Sequence, residues 1–424
     1  MFKIEKKWLI AIMGTLTHLS LGTVYAWSFF QTPITQLVGW SNTQVAWAFS
    51  LSIFMLGVMA AWGGTKIDKY GPRKLAITGG VMYALGYIIS AFALSSGTLW
   101  LLYLAFGILG GSGLGLAYVT PVATVSKWFT EKQGLATGMV VMGFGLGALV
   151  MSKLLAPLFM QLSNGSLSTT FLYIGLTLLV VLPFSAAFLQ LPPVEKEELQ
   201  SIQPEHAMAS ALPVGPSPIK LIFSKSFIII WLMFVINVVS GMIFISFQSP
   251  LLQDIMKLRM PVTTNFADAQ VLMMLNAAGA TLIAVSSVFN GLGRFFWGAV
   301  SDKLGRIATF RILLAVQALI FIALIFVTHP VWFFIFVCIV LLCYGGGFGV
   351  IPSLINDNYG AKLMPALYGA TLTAWGVGGI IGPQIVAFMK DNYPANAGLY
   401  AFIIGSAILL MGLGLSYFYR GKRV

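Results

Sequence analysis

Twelve stretches of the chain are continuously apolar, at about 8–30, 44–64, 74–94, 98–122, 134–158, 169–190, 226–250, 271–299, 307–327, 331–353, 365–389 and 397–419. A helix needs roughly 20 apolar residues to cross a bilayer core, and each stretch is of that order. None alternates polar with apolar positions, so the pattern predicts helices and not the strands of a barrel. The first stretch is too long, and too plainly followed by others, to be a cleaved leader. The longest polar stretch lies at 191–225. It carries Pro192 and Pro193, then Glu195, Lys196, Glu197 and Glu198, then Pro204, Pro213, Pro216 and Pro218. Proline and charge keep such a segment out of the membrane and out of a packed core. The expected organisation is an all-α membrane protein of twelve transmembrane helices in two six-helix bundles, 1–190 and 226–424, joined by a cytoplasmic linker, 191–225.

Composition agrees and removes several alternatives. Hydrophobic residues make up 58% of the chain and charged ones 8%, against roughly 25% charged in soluble domains. The net charge of +12 is therefore read as positive loops beside a membrane and not as a nucleic-acid surface. With both ends inside, 19 of the 24 Lys and Arg residues fall on cytoplasmic segments. Lys153, Lys257, Arg259 and Lys390 fall near the outer side, and Arg294 is left within a span. This bias sets the orientation. The two cysteines, Cys338 and Cys343, share one apolar run and are read as small buried hydrophobes. The three histidines form no metal-ligand cluster with them, and no nucleophile is paired with a base. No cofactor, metal or enzymatic activity is expected.

The chain also repeats itself. Gly64-x-x-x-Asp68-x-x-Gly71-Pro72-Arg73-Lys74 joins spans two and three, and Gly298-x-x-x-Asp302-x-x-Gly305-Arg306 joins spans eight and nine. Equivalent loops in equivalent places mark tandem halves of a transporter. The glycines allow a tight turn at a helix end. The aspartates can accept bonds from a helix N-terminus, and the arginines can pair with an acid opposite. Asp68, Arg73, Asp302 and Arg306 are thus expected to act as a cytoplasmic gate.

Arg294 lies eight residues before Asp302, about 12 Å inside the cytoplasmic loop at 1.5 Å per residue. Arginine keeps its charge in proteins, and a central arginine costs about 2.5–3.5 kcal/mol even on the mildest insertion scale. All twelve acids fall in loops or at span ends, so no carboxylate of the chain is placed to neutralise it. The natural partner is a substrate carboxylate, held by two parallel hydrogen bonds. Asn290, four residues earlier on the same face, can orient the guanidinium or donate to a substrate oxygen. Tyr25 and Trp27 in span one, Tyr118 in span four, Tyr344 in span ten and Trp375 in span eleven are candidate cavity walls. His18 is the titratable residue in the middle of span one. It is read either as a proton relay or as a neutral side chain bonded to another helix. The glycines of spans four, five, ten and eleven, among them Gly143, Gly145 and Gly147, are read as sites of close helix contact.

The doubled loop resembles the signature of the major facilitator superfamily. Three further stretches narrow the likeness: Gly22-Thr-Val-Tyr25-Ala-Trp27-Ser28; Lys127-Trp128-Phe129 with Gly134-Leu135-Ala136-Thr137-Gly138; and Phe289-Asn290-Gly291-Leu292-Gly293-Arg294-Phe295-Phe296-Trp297-Gly298. Together they resemble the oxalate/formate antiporter branch and the related monocarboxylate transporters. The resemblance implies the major facilitator fold and assigns substrate contact to Tyr25, Tyr118 and Tyr344. It places Phe144 and Phe348 where the oxalate carriers have tyrosine. In those carriers span eleven bears a lysine that forms a cation pair with the span-eight arginine; here that position is Trp375. Ile53 likewise stands where a glutamine is expected. One cation in a more apolar pocket is matched to one negative charge, which favours lactate, pyruvate or formate over oxalate. The expectation is a monomeric carrier in a prokaryotic plasma membrane, both termini cytoplasmic. It moves a small carboxylate anion by alternating access, by exchange or with a proton. The alternatives are oxalate/formate exchange and a transporter-like receptor without flux.

Overall fold

The computed structural model describes residues 5–129, 133–193, 218–360 and 363–419. Within these ranges, the side chains of residues 68, 133–135, 218 and 365 lie outside the description. Among the described residues, twelve helices are long and apolar enough to cross a membrane. They are α1 (Lys6–Val38), α2 (Asn42–Gly64), α3 (Pro72–Ser96), α4 (Leu99–Trp128), α5 (Ala136–Leu162), α6 (Leu167–Ala186), α7 (Lys225–Lys257), α8 (Ala269–Leu304), α9 (Arg306–Leu324), α10 (Pro330–Tyr359), α11 (Ala366–Asn392) and α12 (Pro394–Ser416). Twelve crossings put the start of α1 and the end of α12 on one face, called here the terminal face; the other is the far face. Of the expected linker, residues 194–217 lie outside the described residues.

Side chains at the helix ends explain where several spans begin. Ser41 and Gln44 form a reciprocal capping box at the start of α2, Ser224 caps α7 through the Phe227 N–H, and Asp268 caps α8 through two backbone N–H groups. The two repeated loops turn at Gly71 (φ 78°) and Gly305 (φ 85°). In this left-handed region a residue with a Cβ is strained.

α1 extends further than its apolar run. It continues through Gln31, Pro33 and Thr35 to Val38, with a 3-10 segment at Gly22–Ala26. Polar residues there end the hydropathy signal, but the helix goes on because its neighbours supply the packing. Gln31 is fully buried and accepts from Trp27 Nε1 at 2.8 Å.

The first six spans meet the last six along three lines: α2 against α11, α5 against α8, and α1 against α7. Small residues set the closeness of this seam. A Cβ at Gly145 of α5 would stand 2.7 Å from the Cα of Gly291 of α8, so these backbones touch only because residue 145 has no side chain. Arg294 lies just along α8 from this contact.

Candidate substrate-binding site

Arg294 points into the protein and is 3% exposed. Its Cζ lies 4.8 Å from the Phe348 ring centroid of α10 and 5.7 Å from that of Phe144 of α5. Two rings, one from each set of six spans, thus flank the guanidinium, within the range at which aromatic faces attract cations. Nε, Nη1 and Nη2 are all buried and have no hydrogen-bond partner among the described residues. A ring contact supplies only part of what five N–H donors lose on leaving water.

Most of the other expected residues gather around the same two rings; Trp27 does not, and packs instead against Phe49 of α2 and Phe106 of α4. Trp375 of α11 lies 4.8 Å from Phe348, 5.5 Å from Phe144 and 5.0 Å from Tyr118 between ring centroids. Tyr118 and Tyr25 both stand edge-on to Phe144, at 5.2 and 4.9 Å. Tyr344 stands edge-on to Phe348 at 5.2 Å. The hydroxyls of Tyr25 and Tyr344 bond one another at 2.5 Å across the seam. Beside the arginine, further buried polar atoms have no hydrogen-bond partner among the described residues: Tyr118 Oη, Trp375 Nε1 and Asn290 Oδ1. Asn290 is buried one turn from Arg294, its backbone against Gly345 of α10. The result is one fixed positive charge and several neutral polar groups in a wall of aromatic rings.

This arrangement suits an anion of single charge with an apolar or weakly polar body, and twelve spans around it suit passage through a membrane. A family model described as Major Facilitator Superfamily matches residues 10–383. The chain belongs to the major facilitator superfamily. It is an integral membrane transporter and not an enzyme. Among its relatives is an oxalate:formate antiporter of Oxalobacter formigenes, 25% identical over 417 residues, covering 97% of this chain and 91% of the relative. Another is apicoplast pyruvate carrier 1 of Toxoplasma gondii, 24% identical over 451 residues, covering 84% and 78%. Monocarboxylate transporter 13 of Bos taurus is 36% identical over a shorter stretch of 121 residues, 28% of this chain and 27% of the relative.

In this transporter His18 is fully buried beside the site, its ring 4.6 Å from that of Tyr118 and 6.1 Å from that of Phe144. Its Nε2 lies 2.8 Å from the Tyr118 carbonyl. A carbonyl only accepts, so that nitrogen carries the proton and His18 joins α1 to α4. Its Nδ1 has no partner among the described residues. The repeated loops differ in what is visible. Arg306 pairs with Asp302 at 2.5 Å and with Asp357 at 3.1 Å, and donates to Ser301. These contacts bind the terminal-face ends of α8, α9 and α10 to one another. Arg73 is exposed, and the side chain of Asp68 lies outside the described residues.

Ser287 is the residue that sequence reasoning missed. It sits seven residues before Arg294, two turns along the same face of α8. Its hydroxyl donates to the Gly145 carbonyl at 2.5 Å and accepts from the Leu149 N–H at 3.2 Å. Those two groups are an i, i+4 pair of α5, so a side chain of α8 is spliced into the backbone ladder of α5. Ser287 also lines a small cleft with Tyr25, Gln248, Ser286 and Asn290, on the far-face side of the arginine. The available signal was the polar stripe Ser287, Asn290, Arg294 at helical spacing on an apolar helix.

Proposed function

We propose that this transporter carries a small monocarboxylate of the lactate, pyruvate or formate class by alternating access. The observation that carries the reading is the buried guanidinium of Arg294, unpaired by any described residue and flanked by Phe144 and Phe348. A carboxylate supplies two acceptors in the geometry of the guanidinium fork and cancels its charge. Trp375 supports a single negative charge, since it brings a neutral N–H where a second cation would favour a dianion. Tyr118, Trp375 and Asn290 orient the anion, and Phe144, Phe348, Tyr25 and Tyr344 enclose its apolar part.

The mechanism follows from charge. With the anion bound, the centre of the protein is neutral and the two sets of six spans rock about the seam as bundles. Without it, a bare cation must pass through a low-dielectric path, which disfavours reorientation. Exchange of one anion for another fits this directly. Symport fits if a proton enters with the anion, and His18 is the side chain beside the site able to take one. The Lys and Arg distribution supports a plasma-membrane orientation with the terminal face cytoplasmic. Asp302 and Arg306 then stiffen the cytoplasmic ends of α8, α9 and α10.

Uptake of labelled lactate, pyruvate, formate and oxalate into proteoliposomes tests the reading. Accumulation of monocarboxylates, with oxalate competing weakly, is expected. Oxalate taken up in preference to all three would reverse the substrate assignment, and binding without uptake would replace a carrier with a receptor.

A further inference from the structure

At the far face α11 ends in two adjacent charged residues that reach in different directions. Lys390 pairs with Asp254 of α7 at 2.5 Å, a contact within the last six spans. Asp391 reaches across the seam to the start of α2. Its Oδ1 accepts from the Asn42 backbone N–H at 2.8 Å and from Asn42 Nδ2 at 3.0 Å, and its Oδ2 accepts from the Thr43 N–H at 2.8 Å.

The first turn of a helix leaves backbone N–H groups without intrahelical partners. At α2 the capping box deals with two of them. The Gln44 N–H donates to Ser41 Oγ at 3.2 Å, and the Ser41 N–H donates to Gln44 Oε1 at 2.9 Å. Asn42 and Thr43 are left over, and these are the two that Asp391 takes. The cap of α2 is therefore completed by a carboxylate from the other set of six spans, where the helix dipole also favours a negative charge. Other ties across the seam lie deeper: Lys153 to Thr281 at 2.7 Å, Gln384 to Ser50 at 3.3 Å, and the Tyr25–Tyr344 pair. Asp391 is the outermost of them and makes the most bonds.

We propose that Asp391 is a latch that holds the far face of the transporter shut. Opening the protein at that face separates the end of α11 from the start of α2. All three bonds are then exchanged for water, so they weigh the equilibrium toward the closed form. The latch is independent of which anion is carried.

Spin labels at Gln161→Cys and Val262→Cys report the opening. Both positions are exposed at the far face, in opposite halves of the sequence, whereas Cys338 and Cys343 are buried. Pulsed electron paramagnetic resonance on the full chain in lipid nanodiscs, without added anion, gives the ratio of long to short distances. Asp391→Asn is expected to raise that ratio about three- to tenfold, as for losing charge-assisted bonds at an exposed site. Asn42→Pro approaches from the other side. Proline is well accepted at the first helical position and has no N–H, and Ser41 is already extended, as a residue before proline prefers. This variant should shift the ratio in the same direction, and the double variant should go no further than Asp391→Asn alone. Unchanged distances in both single variants, a shift in Asp391→Asn that Asn42→Pro does not reproduce, or additive effects in the double variant would overturn the latch.

Discussion

A guanidinium among aromatic rings deep in a bundle has to be compensated, and ring faces compensate only partly. Contact with Phe348 and Phe144 is worth about 0.5–2 kcal/mol per favourable pair, less than a fully formed bidentate carboxylate pair brings. The same logic predicts the behaviour of Trp375. Trp375→Lys adds a second cation to the site, so oxalate uptake should rise relative to pyruvate uptake by about tenfold; competition assays read this ratio. Loss of all uptake without gain for oxalate would place Trp375 outside the charge selection. Much of this scale was legible beforehand. A charged residue inside an apolar run is unmistakable, and a count of twelve acids, all in loops or at span ends, shows that no carboxylate of the chain is placed to pair with it. The Tyr25–Tyr344 bond was not legible, since those residues are 319 positions apart and nothing local pairs them. Phe144 and Phe348, the rings that flank the guanidinium, came from family likeness and not from spacing.

Helices in a bilayer gain little from hydrophobic burial against one another, so close packing decides which of them touch. Gly145 makes the α5–α8 contact at Gly291 possible, and Ser287 then ties the two backbones. Gly145→Val should cost roughly 1–3 kcal/mol by overpacking and lower the thermal midpoint of the purified protein by several degrees. Gly138→Ala is the control: no described residue lies within 4 Å of the added Cβ, and alanine is the better helix former, so its midpoint should hold or rise. Equal losses from both would mean that the seam does not depend on this contact. The spans themselves were readable because twenty apolar residues in a row have few other uses. The distal part of α1 was not, because Gln31 and Thr35 interrupt the apolar run while remaining in the helix. The completion of the α2 cap by Asp391 was equally invisible, since it depends on how two distant ends meet.

For the molecule as a whole, the bare cation makes the empty carrier reluctant to reorient. Vesicles preloaded with unlabelled pyruvate should take up labelled pyruvate several times faster than empty ones, and equal rates would argue against a bare cation limiting the return step. The seam itself was predictable only as a division at residues 191–225; that α2, α5 and α1 of one half meet α11, α8 and α7 of the other required the structure. The central claim is that the charge of Arg294 is reserved for cargo, and equilibrium binding of labelled pyruvate, lactate and formate to the purified protein tests it most directly. Arg294→Gln should weaken binding of the preferred anion about 100-fold, with Arg294→Lys recovering part of the loss because it keeps the charge but not the fork. Unaltered affinity in a folded Arg294→Gln protein would contradict the account.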